Sequence, residues 1–311
     1  MRTRWIVVPL VAAGLAAAGC DHPPTAEPVA LRVGRLPAGG APADQLLEWA
    51  ELLLAGRCMV ANGFRFTVDW TAPSADDGVS AVRPYGSDDA VAAAANGYGI
   101  TAEMRLDKDD PNRSYRSGLS PERRQRYDET FFGAGDDTTS AETADGLRYT
   151  TGRTGCLADA RRALYGDLDR WVALDVWASD LDAQIVPVVR ADPAYRAALE
   201  VWRGCLAEHG FDLADPDAAR AAALAHYRAA TPGQAQEYER ALAATDAGCS
   251  QRSGLRATGD RLHQAQLARI AGARAGDAGE YRAIKTEAVR KAQSLRDDLR
   301  TAGGQSSGGS R

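Results

Sequence analysis

Lysine is almost missing from this chain: Lys108, Lys285 and Lys291 stand beside 34 arginines in 311 residues. With alanine abundant, that bias follows the base composition of a GC-rich genome and carries no functional message. No apolar run reaches the about 20 residues that a spanning helix needs. The five cysteines and four histidines include no CxxC or HxxxH spacing, so no metal site and no cofactor are expected. Walker loops and dinucleotide fingerprints are absent, and no catalytic residue is assigned. An excess of basic charge is lacking too. Beyond the first nineteen residues, 35 basic side chains face 42 acidic ones, which argues against nucleic acid as a partner.

An export signal, by contrast, is present. Met1 to Trp5 carry two arginines and no acid, and Ile6 to Ala18 are uncharged, which reads as the n-region and short h-region of a signal peptide over 1–19. Polar Asp21-His22-Pro23-Pro24 follows at once. The stretch Leu15-Ala-Ala-Ala-Gly19-Cys20 resembles the lipobox of bacterial lipoproteins, with Ala17 where leucine is commoner. That resemblance implies a diacylglycerol, carrying chains such as palmitate, on Cys20 before cleavage, and a lipid-anchored place on the extracytoplasmic face of the cell membrane. The competing reading is an ordinary signal cleaved after Ala16-Ala17-Ala18, with a chance cysteine. Two or three acyl chains, at about 0.8 kcal/mol per buried methylene, would hold the protein firmly.

Past Cys20 four cysteines remain, an even number suited to disulfides in an exported chain. They fall in two similar stretches. Cys58-Met-Val-Ala-Asn-Gly63-Phe64 matches Cys205-Leu-Ala-Glu-His-Gly210-Phe211. Leu52, Ala55 and Met59 correspond to Leu199, Trp202 and Leu206, on one helical face. Ser120-Pro121 precedes Tyr127, and Thr231-Pro232 precedes Tyr238, at the same distance. Each of these pairs is an N-cap followed by the preferred first helical residue. Gly155-Cys156 and Gly248-Cys249 then follow. Each unit is therefore a helix ending in Cys-x4-Gly-Phe, a connection, a capped helix with a tyrosine, and a second cysteine. The glycine closes the first helix in a left-handed conformation, Phe64 and Phe211 fold back as core residues, and Asn62 and His209 suit the capping position.

Between the units Leu157, Ala160, Leu164, Leu168, Trp171, Leu174, Ala178, Leu181 and Ile185 keep a three-or-four spacing, which predicts one long helix ended at Pro187. Asp192-Pro193 starts the next helix, and a last one carries Tyr281, Ile284, Ala288, Ala292, Leu295 and Leu299. At about 1.5 Å of rise per residue, Cys156 and Cys205 sit at different levels of such a hairpin, whereas the helices after Asp215 and Pro232 return Cys249 to the level of Cys205. The expected pairs are Cys205 with Cys249 and, by the repeat, Cys58 with Cys156.

The insert within the first unit starts with Phe64, Phe66, Val68 and Trp70 alternating with polar residues, a short strand. Arg83-Pro-Tyr85-Gly86 and Asn96-Gly97-Tyr98-Gly99 place tyrosines at backbone corners. Tyr85 and Tyr98 are either handles for a protein or sugar or lids packed on the helices. The acid-rich Asp107-Lys-Asp109-Asp110-Pro111-Asn112 fails as an EF-hand, with proline fifth and no glycine sixth, and reads as a solvated turn. Asp88-Asp89 and Asp136-Asp137 read as a helix start and a flexible loop.

Taken as a set, Cys-Met/Leu-x3-Gly-Phe, Tyr-Gly near 85, Gly-Tyr near 98, Ser-Pro-x5-Tyr, Gly-Cys, the second unit and the long last helix resemble a group of secreted and lipid-anchored proteins of high-GC actinobacteria without assigned activity. The likeness covers most of the chain after residue 45 and implies architecture and location only. The expected protein is all-α: a tether over 20–42, a first helical unit over 43–186 with an insert at 65–118, a second unit over 187–302, and a disordered tail over 303–311. The expected role is a membrane-tethered binding or interaction protein whose partner is an envelope protein or glycan. An envelope hydrolase is the alternative. A two-lobed solute-binding lipoprotein fits less well, since that fold needs alternating strands and helices.

Overall fold

The computed structural model describes residues 29–69, 84–101, 103–104 and 110–306. Cys20, the signal segment, Trp70, residues 105–109 of the acidic turn and the last five residues lie outside these. In chain order the elements are β1 (Leu31–Val33), α1 (Ala43–Ala61), β2 (Phe66–Val68), α2 (Ala90–Asn96), α3 (Pro111–Ser117), α4 (Pro121–Phe132), β3 (Thr138–Glu142), β4 (Arg148–Gly152), α5 (Cys156–Tyr165), α6 (Leu168–Ser179), α7 (Leu181–Ala191), α8 (Pro193–Glu208), α9 (Pro216–Ala229), α10 (Pro232–Ser253), α11 (Leu255–Ala273) and α12 (Ala275–Ser306). The fold is all-α and stapled by Cys58–Cys156 and Cys205–Cys249, the pairs expected from the sequence.

Five helices start alike. Asp110, Ser120, Asp192, Asp215 and Thr231 each precede a proline at the first helical position. A side-chain oxygen ahead of Pro satisfies backbone donors that no carbonyl of the helix can reach, and the ring presets φ. Asp110, the last acid of the acidic turn, thus has a capping role: its Oδ1 accepts from the amides of Asn112 at 2.8 Å and Arg113 at 3.2 Å.

The two units close at the same corner. Gly63 and Gly210 have φ of 83° and 84°. The amide of Phe64 donates to the carbonyl of Met59, and that of Phe211 to Leu206, both at 3.0 Å. With the glycine amides reaching Val60 and Ala207, this is a Schellman closure in each copy. Phe64 then meets Tyr127 edge-on with centroids 5.3 Å apart, and Phe211 meets Tyr238 edge-on at 6.2 Å.

Beyond the corner the units diverge. In the second, one uninterrupted helix, α10, carries both Tyr238 and Cys249. In the first, α4 stops after Tyr127 and the antiparallel hairpin β3–β4 intervenes before α5 opens on Cys156. The chain leaves and re-enters at neighbouring points: a Cβ on Gly155 would lie 2.4 Å from the amide nitrogen of Gly133. The hairpin is therefore an insertion into a helix. Asp136-Asp137, expected in a flexible loop, lead into it. Its strands, Thr-Thr-Ser-Ala-Glu and Arg-Tyr-Thr-Thr-Gly, lack apolar alternation and so gave no strand signal. Asp180 anchors the hairpin by accepting from the amide of Ala144 at 2.8 Å.

Other expectations need correcting. The long helix predicted from Leu157 onward is three helices. Gly166, with φ of 88°, breaks it and Asp167 caps the restart; Asp180 marks the second joint. Pro187 lies inside α7 and does not end it. Part of the expected tether is ordered, because β1 pairs in parallel with β2, Leu31 opposite Phe66 and Val33 opposite Val68. The other edge of β2 is closed by the Asn112 carboxamide, which accepts from the amide of Thr67 at 2.8 Å and donates to its carbonyl at 2.7 Å. The last helix continues to Ser306, past the expected start of the tail at 303.

Two cores result. The first gathers α1, β2, α4 and α5 around Trp49, Leu53, Met59 and Phe66, and takes Ala288 and Ala292 from α12. The second gathers α7, α8 and α11 around Ile185, Tyr195, Trp202 and Leu206, and takes Tyr85 from the insert of the first unit. Each unit thus borrows part of its core from the other half of the chain.

Gly56, in the middle of α1, permits the strands to lie on that helix: a Cβ there would fall 2.8 Å from Leu31 Cδ1 and 2.8 Å from Cδ1 of buried Phe66. Helix propensity alone makes Gly→Ala favourable by about 1 kcal/mol. Overpacking reverses the sign, so Gly56→Ala is expected to lose about 1–3 kcal/mol in urea denaturation. A stabilised variant would show that β1 and β2 do not pack on α1 as described.

Candidate functional site

The two tyrosines singled out from the sequence both sit on the second unit, and neither is a free handle. Tyr85 is 1% exposed. Its hydroxyl is 2.9 Å from Nδ1 of His263, whose Nε2 lies 3.2 Å from Asp182. Burial pushes the phenol up to about 12. On either side, Arg190 donates to the carbonyl of Pro84 at 2.9 Å and Arg256 to that of Gly86 at 2.8 Å. Gly259 of α11 lies flat beneath the ring, with the position of a Cβ 2.5 Å from Tyr85 Cγ.

Tyr98 is half-buried and held by α10. Its amide donates to Glu239 Oε1 at 2.8 Å, and the amide of Ile100 donates to the same oxygen at 3.1 Å. Its hydroxyl donates to Asp246 Oδ2 at 2.9 Å, while Trp202 Nε1 donates to Oδ1 at 2.9 Å. The Tyr227 hydroxyl donates to the other Glu239 oxygen. Gly97, with φ of 64°, is required here because a side chain would run into Glu239. Of the two readings of these tyrosines, the packed lid describes both.

Glu239 and Asp246 are what the sequence reading missed. They are 1% and 2% exposed, and lie seven residues apart, on one face of α10. Their signal was faint: acids at positions that the apolar stripe of the helix should occupy. Burial raises the Asp246 carboxyl to about 6, against the two donors that hold it down.

A second group of polar side chains, half-buried, lies where α1, α5, α6 and α12 meet. Glu51 of α1 accepts from Arg161 Nε of α5 at 2.7 Å, and Tyr281 of α12 donates to Asp175 of α6 at 3.3 Å. Tyr165, Trp171 and Tyr281 stack beside them, with successive centroids 3.8 and 5.5 Å apart. Burial raises both Glu51 and Asp175, and in Glu51 it outweighs the opposing Arg161 guanidinium. Chemically this is a pair of carboxylates whose protons are held more tightly than usual, but each is engaged by a neighbour.

At the first corner a shallow cleft of 470 Å³ is lined by Asn62, Gly63, Phe64, Arg123, Arg126 and Glu129. Arg123 is already engaged, donating to the carbonyl of Gly63 at 3.2 Å and lying over the Phe64 ring. At the second corner His209 and the disulfide sulfurs of Cys205 and Cys249 lie within 4.8 Å of one another. Among the described residues this is the one His/Cys/Asp/Glu group compact enough to hold a metal, and here both sulfurs are bonded to each other. The C-x3-H spacing places Cys205 on the last turn of α8 and His209 at its C-cap; the third member comes from the disulfide partner.

The disulfide-stapled, all-α class is as far as the fold goes toward an identity. No protein-family model, curated protein or solved structure matches the chain.

Asp246 gives a pH dependence with a definite sign. Its folded value of about 6 lies above the ordinary 3.8, so the native state holds the proton more tightly. The stability this confers is complete below about 3.8 and is lost as pH rises through about 6. Asp246→Asn, which can still accept from Trp202 and donate to Tyr98, removes the titration. The melting temperature of Asp246→Asn relative to the parent is expected to rise between pH 4 and pH 8, by the equivalent of on the order of 2–3 kcal/mol. A difference that stays constant with pH would mean that Asp246 titrates normally. Gly259→Ala, which drives a methyl group into Tyr85, is expected to cost about 1–3 kcal/mol, read by urea denaturation.

Proposed function

We propose that the protein is a lipid-anchored binding protein of the bacterial cell envelope, cut before Cys20 and carried on the outer side of the cytoplasmic membrane. The observation that carries this reading is the sequence around Cys20, a cysteine placed at the polar end of a short apolar segment behind two arginines. Two formed disulfides agree with an oxidising compartment. No described helix is long and apolar enough to cross a membrane, so on this reading attachment rests on the acyl chains.

Support for binding comes from the hairpin that interrupts the first unit. It adds Leu147, 69% exposed, and Tyr149, 44% exposed, to a position where the second unit has plain helix. Exposed apolar side chains on an inserted element contribute nothing to the cores and suit contact with an envelope protein or glycan.

The rival reading, an envelope hydrolase, draws on Glu51 and Asp175, two carboxylates held above their usual range. Their engagement by Arg161 and Tyr281 also serves to tie four helices together, and this places the hydrolase second.

Intact-mass analysis of protein extracted from its native membranes is expected to show an N-terminus at residue 20 bearing a diacylglycerol, and Cys20→Ala is expected to release the chain from the membrane. An unmodified residue 20 overturns the anchoring. Crosslinking on the same membranes is expected to recover one stoichiometric partner, lost in Leu147→Ser/Tyr149→Ser. Recovery unaffected by those substitutions removes the hairpin from the binding surface.

A further inference from the structure

The two corners are built alike but differ in one side chain, and the difference is chemical. In the first, Asn62 donates through Nδ2 to the carbonyl of Cys58 at 2.9 Å and reaches to 3.8 Å from Cys58 Sγ. In the second, the same slot holds His209, whose Nδ1 is 2.8 Å from the carbonyl of Cys205. A side chain in this slot therefore caps the helix and lies beside the disulfide. Asparagine and histidine do the first job equally; only histidine adds a strong ligand for a soft metal. A carbonyl oxygen can only accept, so the hydrogen bond puts a proton on Nδ1 and leaves Nε2 with its lone pair. Orienting one ring nitrogen on a backbone carbonyl is the usual support for a metal-bound histidine.

We infer that the second corner is a redox-gated site for one zinc-class divalent cation, formed by Cys205, Cys249 and His209 when the disulfide is reduced. A dithiol reductant attacks the sulfur–sulfur bond and is oxidised to its own disulfide. The two electrons and two protons that it gives up appear as the thiols of Cys205 and Cys249. On metal binding each thiol releases its proton to solvent, and two thiolate sulfurs and one ring nitrogen surround the ion, with water in the fourth position. Tetrahedral zinc with bonds of about 2.0–2.3 Å needs donors roughly 3.5–3.8 Å apart. A ring nitrogen of His209 and the two sulfurs already lie within 4.8 Å of one another, and the two Cα atoms are 5.6 Å apart, so separating the sulfurs and turning the ring call for side-chain rotation with little backbone movement. Cys205 and Cys249 are buried while His209 is exposed, which leaves an approach for the ion from the histidine side. The consequence is mechanical. A reduced chain would keep α8 clamped to α10 by a metal in place of the covalent staple, and the first corner, with Asn62, would not.

The test uses the full chain with Cys20→Ser, so that only the paired sulfurs report, and Co²⁺ as the probe. After reduction, with helical circular dichroism retained, one Co²⁺ per chain is expected, with thiolate-to-cobalt charge-transfer bands that Zn²⁺ abolishes; the oxidised chain is expected to show none. His209→Asn recreates the cap of the first corner and so keeps the structural role of this position. It is expected to weaken Co²⁺ binding by roughly tenfold or more. The proposal is overturned by a reduced, helical chain that binds no Co²⁺. It is equally overturned if His209→Asn binds as well as the parent, if two ions bind per chain, or if binding accompanies loss of the helical signal.

Discussion

The last carbonyls of a helix need donors that the helix itself does not supply, and in this protein that constraint is met twice by one device. A glycine in the left-handed region turns the chain, the next phenylalanine folds back onto a tyrosine, and the cysteine one turn earlier is tied to a distant helix. Hydrogen bonding, aromatic packing and a covalent link converge on a few residues. The sequence separations that the disulfides span, 98 and 44 residues, are long enough for each bridge to remove on the order of 4 kcal/mol of unfolded-state freedom.

What joins the units is an exchange of parts. The insert of the first unit sends Tyr85, Tyr98 and Ile100 onto α8–α11, and α12 returns to lay Ala288 and Ala292 against α1 and its neighbours. Polar groups enforce the first of these contacts. Glu239 and Asp246 are buried acids, and an acid is tolerated in such a place only when donors surround it. Here the donors are backbone amides and hydroxyls of the insert together with Trp202 and Tyr227. The pairing is specific in a way that apolar contact is not, because a shifted insert would leave each buried carboxylate with the single donor that its own unit supplies, Trp202 for Asp246 and Tyr227 for Glu239.

The two units also differ. The first carries a hairpin in place of continuous helix and shows apolar side chains to solvent on it; the second keeps the helix and has histidine where the first has asparagine. The shared features are those that folding requires. The differences are where function has room to enter.

The sequence by itself determined the helix starts at Ser120, Asp192, Asp215 and Thr231, the closing corners and the disulfide pairs. An oxygen-bearing side chain before proline, glycine before phenylalanine, and the fixed rise of a helix are local rules, and each needs only a few neighbouring residues. Three other features were settled by tertiary structure alone. Apolar residues at three-and-four spacing fit a helix broken at Gly166 and Asp180 as well as a straight one, so periodicity could not reveal the breaks. The strands of the hairpin are ordered by their mutual pairing and by Asp180, without a pattern of their own. Whether Tyr85 and Tyr98 are handles or lids stayed open in the sequence because the groups that bury them, His263, Glu239 and Asp246, lie more than 140 residues away, and local sequence carries no record of contacts made at that range.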